Sequence, residues 1–562
     1  MNKRWNILYN DIDKATAHAL ANTLHVSPLL ALIMLVRGIA PAEAADFLTG
    51  GIAGLHDPFS MKDMDKACAR IQAAIQNGEK ITVYGDYDVD GISSVAMLLL
   101  YLQKQHALCD FYIPDRQKEG YGLNGDAIQK IAAEGTTLII TVDTGITACA
   151  EVELAKSMGV DVVITDHHSV PSVLPQAIAV VNPHRQDCPY PYKSLAGGGV
   201  AFKLISALCQ DAKAAVTDYV DIAALATIAD VVPLTGENRV IAALGLRKMR
   251  KMPATGIAAL IEVSGLSQDT LSAYQIGFSV APRINAAGRM GDCSPAVRLL
   301  LTDNYHEAIE ISSALDAQNA ERKAIGDAIF KDAVATIEAG DYAHKKVLVL
   351  QHDHWHHGII GIIASKITEK YYKSTILIST DGDTAKGSGR SIPGFNLFEA
   401  LSACSDALLR FGGHALAAGL TLDTAEIPNL DAKINAFADE VLSEEDMCPV
   451  LSIDAPLPLS GSLLAIAADI EKLEPFGAGN SYPMFLLEKV TITGVRTSKD
   501  EKHLFLRLWG NGASVDAVFF GQGALKSIYA RGDIVDVAGE LHINTYGGGR
   551  TPQIIIADMK KQ

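Results

Sequence analysis

The chain has 562 residues, 49% of them hydrophobic and 20% charged, which describes a soluble globular protein of two to four domains. Its formal net charge of −17 argues against indiscriminate nucleic-acid binding, because phosphate contacts need Lys and Arg. The charge is uneven, since residues 481–562 hold ten basic and eight acidic side chains and are slightly basic beside an acidic body.

Three features of the sequence predict a cytoplasmic protein without membrane segments. No uninterrupted apolar run approaches the ~18 residues that a membrane span needs. The first residues, MNKRWNILYND, turn polar directly after their basic pair and lack the apolar region of a signal peptide. The eight cysteines show neither disulfide-like nor metal-like spacing, which indicates a reducing compartment.

The first half of the chain is expected to form a parallel, doubly wound α/β domain. Residues 1–50 look like a short helical lead-in punctuated by Pro28 and Pro41. Residues 51–260 then alternate helical stretches with short apolar strands, the signature of a parallel sheet covered by helices. The predicted strands are ITVY (81–84), CDFYI (109–113), TLIITV (137–142), DVVIT (161–165) and IAVVN (178–182).

The second half is expected to contain a connecting region, a second α/β lobe and a small β-barrel. In the connecting region, 261–340, the segment Tyr305–Ala339 is nearly free of helix breakers and would span roughly 50 Å as one helix. Residues 341–449 carry the strands KVLVLQ and STILIS around a glycine-rich centre. Residues 450–562 change to short alternating strands typical of a barrel. Its aromatic residues are Phe505, Trp509, Phe519, Phe520, Tyr529 and Tyr546, most of them needed for the core and the rest suited to stacking single-stranded bases in an OB-type fold.

Carboxylates and imidazoles follow the predicted strands of the first domain. Ligands of an open parallel sheet bind beyond the carboxyl ends of its strands, so these groups should converge on one crevice. Such a composition suits two divalent ions, and the majority of oxygen ligands favours Mn²⁺ or Mg²⁺. Each motif alone could instead be a polar turn or a helix cap. The residues are Asp86, Asp88, Asp90, Asp143, Asp166, His167 and His168, with Asp230 after a later apolar helix.

In this order and spacing, GDYDVDG, VDTG, TDHH and ADVVPL resemble the four motifs of the DHH phosphoesterase family. The stretches PRINAAGRM, KGSGRS and FGGHALAAG resemble signatures of the RecJ-type exonucleases within that family, and the likeness runs from about residue 50 to the C-terminus. One departure is Tyr84, which stands where many members have a metal-binding His. The resemblance therefore leaves the coordination of the first metal open.

The resemblance implies a role for each motif residue. Asp88 would bind one ion, supported by Asp86, and Asp90 would bind the other. Asp143 would bridge both ions as a catalytic residue, and the second site would be completed by His167 and Asp230. Asp166 and His168 would ligate, or would orient the ligands.

Substrate contacts are implied for residues outside the metal motifs. Arg283, Asn285, Arg289, Ser388, Arg390 and, as a weaker candidate, Arg116 would bind phosphate. His414 would lie near the scissile phosphate as a catalytic contact. Two other segments are set aside: QHDHWHHG (351–358) lacks a supporting carboxylate pattern, and LAGGGVAFKL (195–204) lacks the GK[ST] of an ATP-binding loop.

The implied activity is metal-dependent hydrolysis of single-stranded DNA to mononucleotides in the 5′-to-3′ direction, in DNA repair and recombination. A monomer is expected, with a helicase and a single-stranded-DNA-binding protein as partners. The alternative is a DHH phosphodiesterase acting on short oligoribonucleotides or cyclic dinucleotides. Such enzymes are typically shorter and lack the appended barrel.

Overall fold

The computed structural model describes residues 3–116, 118–545 and 549–562. The predicted parallel sheet is present in the first lobe, where all five strands run in the same direction. Its two central strands are buried along their whole length, as expected for a sheet covered on both faces. The strands lie in the order Cys109–Tyr112, Ile81–Gly85, Leu138–Val142, Asp161–Thr165 and Ala179–Val181.

Helices cover this sheet and extend the first lobe to about residue 263. Two of them, Val89–Lys104 and Gly197–Cys209, are almost wholly buried and form the centre of the largest apolar core. The others are Met64–Asn77, Gly125–Ala133, Cys149–Ser157, Ala212–Ala229, Gly236–Lys251 and Thr255–Val263.

The connecting region is helical throughout. A short helix, Ala273–Gln275, leads into a π-helical turn, Ile276–Val280, and then into the helix Ala281–Met290. After the helix Ser294–Leu301, one unbroken helix covers Tyr305–Ala339, as predicted. It packs against both lobes.

The second lobe is a mixed five-stranded sheet whose only parallel pair is its last. The strand order is Arg410–His414, Ala417–Asp423, Thr384–Arg390, Ser374–Asp381 and Val347–His352. The helices of this lobe are His357–Tyr371, Leu397–Ala403 and Ile427–Val441.

The C-terminal region is a closed barrel, which confirms the predicted architecture. Five strands form the closed sheet, because Phe485–Thr497 pairs with both Leu504–Gly510 and Ile534–Asn544. The remaining strands are Ala513–Phe519 and Thr551–Lys561, with the short Ala455–Pro456 beside the first strand and the helix Leu463–Ile470 against the barrel.

The described part of the N-terminal region, residues 3–50, packs against the barrel. The strand Arg4–Ile7 pairs in parallel with Val450–Ile453. Apolar side chains of the helices Lys14–Leu24 and Pro28–Val36 join the barrel core, next to the helix Ala44–Thr49. The lead-in is therefore held by contacts with residues more than 400 positions away.

The described residues contain no single helix that is both long and apolar enough to cross a membrane. The two N-terminal helices reach that composition only together, and they bend by 116° where they meet.

Candidate metal centre and phosphate site

The first acidic motif forms the turn between a buried strand and a buried helix. Asp86 directly follows the strand, and Asp88 caps the helix by accepting a hydrogen bond from the Gly91 N–H at 3.0 Å. Asp90 lies in the first turn of the helix. The motif is therefore a strand-to-helix turn, and it places Asp90 in a different group of potential ligands from Asp86 and Asp88.

The backbone at the start of a later helix holds Asp90. The N–H groups of Gly197 and Gly198 donate to its two oxygens at 2.7 and 2.6 Å. A Cβ on Gly197 would lie 2.5 Å from the Asp143 Oδ1 atom, so only glycine leaves room for that carboxylate. The glycine run that lacks a nucleotide-loop signature thus supports the acidic site, a role that sequence reasoning missed.

Asp143 belongs to more than one group of potential metal ligands and so connects them. It follows the central strand with a φ of 60°, a conformation that costs a non-glycine residue energy and that clusters at functional sites. Its oxygen lies within 4.8 Å of ligand atoms of Asp86 and Asp88. The same carboxylate lies 3.1 Å from the Nε2 atom of His167.

A second group of potential ligands adjoins the first. The Nε2 atom of His167 lies 3.7 Å from the Asp230 carboxylate and 4.0 Å from that of Asp90. Asp230 caps the C-terminus of the helix Ala212–Ala229. Asp143, His167 and His168 form a third, overlapping group.

Asp166 differs from the other carboxylates because protein donors occupy both of its oxygens. One oxygen accepts from the N–H groups of His167 and His168 and lies 2.7 Å from the Nδ1 atom of His168. The other accepts from the Ile146 N–H at 2.9 Å. This hydrogen bond fixes the orientation of the His168 ring, whose Nε2 atom lies 3.4 Å from the Tyr121 hydroxyl.

Burial and mutual repulsion keep the acidic cluster from ionising fully. Burial first, and then neighbouring carboxylates, hold the pKa of Asp86 and Asp143 well above the usual range. The same causes raise the pKa of Asp90 to about 7 and of Asp230 to about 9. The burial of His167 lowers its pKa to about 4, so its ring is neutral and has a lone pair to donate.

Two neighbouring groups show the opposite behaviour. Burial by itself would raise the pKa of Asp166, but its hydrogen bonds with His168 and the backbone outweigh burial and hold it below its usual value. Burial lowers the pKa of His168, yet the bond to Asp166 outweighs it and the net shift is upward. These two residues form an ion pair beside the cluster.

The residues present fit a pair of divalent ions. Buried oxygens of Asp86, Asp143 and Asp230 have no hydrogen-bond partner within the described chain, which is costly for a carboxylate unless a cation binds it. The donor set is carboxylate and neutral imidazole without sulfur, which suits Mn²⁺ or Mg²⁺.

Tyr84 does not face the metal centre. Its ring is fully buried on the other face of the strand, stacked on Tyr112 at 5.3 Å, and its hydroxyl donates to the Gly122 carbonyl at 3.0 Å. Gly122 belongs to the loop that carries Arg116 and Tyr121. The Tyr121 hydroxyl lies 3.3 Å from His168, so the residue in the position of the family's histidine holds a loop that reaches the site.

Four arginines from separate elements form a second charged cluster beside the acidic one. Burial, together with the nearby charges of Arg116, Arg322 and Arg390, lowers the pKa of Arg289 to about 10 against the opposing charge of Asp88. Arg322 lies on the long helix, and its guanidinium donates to Asn319 at 2.9 Å. Sequence reasoning missed Arg322 because no motif surrounds it.

Ser388 and Arg390 lie close together on one strand, which packs against the helix His357–Tyr371. The Arg390 guanidinium donates to the Ser388 hydroxyl at 3.3 Å and to the Gly389 carbonyl at 2.7 Å. A Cβ on Gly361 would lie 2.8 Å from the Ser388 hydroxyl, so glycine allows this close contact. Arg289 donates to the Gly358 carbonyl at 3.0 Å and thus links the connecting region to the second lobe.

The remaining predicted phosphate ligands have protein partners. Arg283 forms a 2.9 Å ion pair with Asp316 of the long helix and donates to the Ser279 carbonyl. Asn285 accepts a hydrogen bond from the Val89 N–H at 3.2 Å and so holds the first acidic motif. These contacts give both residues structural roles that the sequence did not indicate.

His414 ends the strand Arg410–His414 and is exposed. Among the residues that the structure describes, none forms a hydrogen bond or ion pair with its ring. The structure therefore does not join His414 to the metal centre, and its catalytic contact stays a prediction.

The histidine-rich segment 351–358 forms no metal cluster among the described residues. His352 and His354 both lie near Asp353, while Trp355 is buried and donates to Asp332 at 2.9 Å.

Two barrel aromatics are open to solvent. Trp509 is 48% exposed and Phe520 55% exposed, whereas Phe505 packs under the guanidinium of Arg496. Phe519 and Tyr529 pack against the barrel core, and Tyr546 lies outside the described residues.

Family models match all three folded regions. The DHH family N-terminal domain matches residues 80–227, the DHHA1 domain residues 344–440, and the RecJ OB domain residues 453–558. The chain is 41% identical to the single-stranded-DNA-specific exonuclease RecJ of Bacillus subtilis, over 99% of this chain and 70% of that protein. It is 33% identical to the Escherichia coli protein of the same name, over 94% of this chain and 95% of that one.

The fold of this chain also matches solved structures over its whole length. RecJ of Thermus thermophilus in complex with Mn²⁺ superposes with a TM-score of 0.87 and 31% identity, covering all of this chain and 80% of that one. The Mg²⁺ complex of the same protein gives a TM-score of 0.81 and covers all of this chain and 78% of that one.

Proposed function

The chain belongs to the RecJ family of single-stranded-DNA-specific exonucleases, and from this premise we propose that it hydrolyses single-stranded DNA from the 5′ end to mononucleotides. The observation that carries the proposal is the juxtaposition of an arginine cluster with an acidic cluster in which three buried carboxylate oxygens have no hydrogen-bond partner among the described residues. The two clusters are close enough to interact, because the charge of Asp88 raises the pKa of Arg289 and the charge of Arg116 lowers that of Asp86. Bound metal ions would neutralise the acidic cluster, and the phosphodiester of the substrate would neutralise the arginine cluster.

The carboxylates and His167 would hold two divalent ions. Asp86 and Asp88 form one side, Asp90, His167 and Asp230 form the other, and Asp143 lies between them. When bound, such a pair of ions supplies a nucleophilic hydroxide and stabilises the charge on the attacking and leaving oxygens. Asp166, whose oxygens are occupied by protein donors, would orient His168 rather than ligate directly.

The arginine cluster would bind the terminal phosphate. A 5′ phosphate carries more charge than an internal one, and a guanidinium can bind it through two parallel hydrogen bonds. Ser388 and Arg390 lie at the end of the middle strand of the second lobe's sheet, and Arg289 and Arg322 approach from the connecting helices. Placing the 5′ end at a fixed distance from the metal centre would enforce 5′-to-3′ digestion.

The closed barrel favours this function over the hydrolysis of short oligoribonucleotides or cyclic dinucleotides. Those small substrates end within the catalytic cleft and need no additional strand-binding domain. The barrel presents Trp509 and Phe520 to solvent, and such aromatic side chains stack bases with little sequence preference. Roles in DNA repair and recombination, with a helicase and a single-stranded-DNA-binding protein as partners and a monomer in the cytoplasm, belong to the same proposal.

The test compares a 5′-labelled single strand with the duplex of the same sequence, with and without Mn²⁺. We expect labelled mononucleotide only from the single strand and only with the ion. His167→Ala should remove this activity, whereas His354→Ala, which removes an exposed histidine that belongs to no group of potential metal ligands, should not. Release of label from the duplex at the same rate, or activity without divalent ions, would contradict the proposal.

A further inference from the structure

A stacked pair of exposed aromatic rings stands at the beginning of the helical segment that passes the metal centre. Tyr274 is 68% exposed and Phe278 70% exposed, and their ring centroids lie 4.6 Å apart at an interplanar angle of 28°. Single exposed apolar residues are ordinary on protein surfaces. Two large rings that stack on each other and remain open to solvent form a flat apolar face, which needs a separate explanation.

The backbone holds this aromatic pair firmly in place. The intervening Ile276 is fully buried, as is Val280 one turn further on. Ser272 and Gln275 close a reciprocal capping box at the start of the segment. Phe278 lies on the π-helical turn and Tyr274 on the short helix that leads into it, and π-helical turns are rare elements that are frequently found at functional sites.

The pair lies beside the acidic cluster. Gly277, between the two aromatic residues, packs on Ile228, and a Cβ at Gly277 would lie 3.7 Å from the Ile228 Cγ2 atom. Ile228 precedes Asp230 by two residues. The next residue, Val231, is 71% exposed, and the Leu234 N–H donates to the Ala478 carbonyl in the segment that leads into the barrel.

The same helical segment connects the aromatic pair with the arginine cluster. Phe278 and Arg289 are eleven positions apart in the sequence, which corresponds to roughly 16 Å along a helix. Asn285 lies between them and holds the first acidic motif through the Val89 N–H. The aromatic pair, the metal motif and the arginine cluster therefore follow one another along one side of the molecule.

We infer that Tyr274 and Phe278 form a base-stacking site for the part of the strand on the 3′ side of the scissile phosphate. The inference rests on the proposed function, in which the arginine cluster holds the 5′ end. A strand that continued from the metal centre toward the barrel would pass this aromatic face. The nearby Arg283 is already paired with Asp316, so the contact that this position offers a strand is stacking rather than phosphate binding. Stacking requires no particular sequence, because every base has a π-face.

The test uses the full chain with the double substitution Tyr274→Ala and Phe278→Ala. For a long 5′-phosphorylated oligothymidylate in Mn²⁺ we expect KM to rise about tenfold with kcat unchanged. A 5′-phosphorylated dinucleotide, which ends before the aromatic pair, should keep both constants. Exchanging the two rings, Tyr274→Phe with Phe278→Tyr, should preserve the wild-type KM.

Met252→Ala is the matched control, because Met252 is a large apolar side chain, 76% exposed, at the end of the helix Gly236–Lys251. Circular dichroism verifies folding, and Phe278→Ala alone replaces the double variant if that one does not fold. An unchanged KM for the long strand, or an equal loss for the dinucleotide, would overturn the inference.

A second measurement separates this inference from the proposed function. Oligonucleotides with 2-aminopurine at successive positions are bound in the presence of a chelator, so no cleavage occurs. Quenching at one or two positions in the wild type, and its loss in the double variant, is the expected result. Equal quenching in both proteins would refute the stacking site, whereas failure of the wild type to hydrolyse DNA would refute only the proposed function.

Discussion

The acidic cluster and the arginine cluster are adjacent, and each concentrates charge of one sign in a partly buried place. Burial shifts both toward neutrality, raising the pKa of Asp90 and Asp230 and lowering that of Arg289. They differ in how their groups are held. Three of the carboxylates have buried oxygens without partners, whereas Arg390, Arg322 and Arg289 each donate to a protein oxygen.

This difference indicates what each cluster binds. Carboxylate oxygens without partners require a compact cation at a fixed point, because an unpaired buried charge is costly. Guanidinium groups that already have a partner keep further N–H donors for a phosphate that comes and goes. The acidic cluster is therefore suited to resident ions and the arginine cluster to a substrate group.

Removing the carboxylate that joins the metal groups should have the largest effect. Asp143→Ala is expected to lower the hydrolysis rate by roughly 10²–10³-fold or more, the scale seen when one electrostatic stabiliser is lost. Binding of a 5′-phosphorylated strand should persist because the arginines are untouched. Rate and affinity measured on the same preparation check this, and near-normal turnover would show that Asp143 does not bridge the ions.

The acidic cluster also predicts how stability depends on pH in metal-free protein. The folded-state pKa values of Asp90 and Asp230, about 7 and about 9, lie above the unfolded value near 3.9. The folded state thus keeps protons that the unfolded state releases, so stability falls as the pH rises through this window. We expect each group to contribute a loss of about 1.4 kcal/mol per pH unit until the pH reaches its folded-state pKa, which amounts to several kcal/mol between about pH 5 and about pH 8.

Urea unfolding in a chelator at the two pH values measures this change. Asp230→Asn, which removes one raised group, should flatten the dependence, and Mn²⁺ should stabilise the protein most at the higher pH. Equal midpoints at both pH values in the chelator would contradict the electrostatic description of the cluster.

For the arginine cluster, Arg390→Lys keeps the charge but loses the planar fork. The preference for 5′-phosphate over 5′-hydroxyl ends should fall about tenfold, with metal binding unaffected. Arg283→Lys is the matched control, since Arg283 is occupied by Asp316. Competition kinetics with 5′-phosphate and 5′-hydroxyl substrates at fixed salt measures this preference. If the preference is unchanged in Arg390→Lys, Arg390 does not recognise the 5′ end.

The smallest effect is expected at Tyr84, which supports both clusters through one loop. Tyr84→Phe removes the hydrogen bond to Gly122 but keeps the stacked ring, a loss of about 1 kcal/mol. Activity should fall only severalfold, through a looser Arg116 and Tyr121. Titration of Mn²⁺ binding distinguishes this role from ligation: a large loss of metal affinity would make Tyr84 a ligand after all.

The sequence by itself determined the positions of the acidic residues. Asp86 and Asp143 follow buried strands, and parallel strands bring their carboxyl ends to one edge whatever the details of packing. The long helix Tyr305–Ala339 and the closed barrel were predictable for a similar reason, because an uninterrupted helical composition and an alternating pattern are local properties. The family motifs then added the ligand set and the domain order.

Only the tertiary structure decided which side chains are partnered and by what. Arg283 and Arg289 share one motif, yet the first pairs with Asp316 while the second lies in the arginine cluster with Arg322. The amides of Gly197 and Gly198 reach Asp90 across more than 100 residues. Such contacts depend on how distant helices pack, and no local pattern in a single sequence records which of two equivalent charges will be buried beside an opposite one.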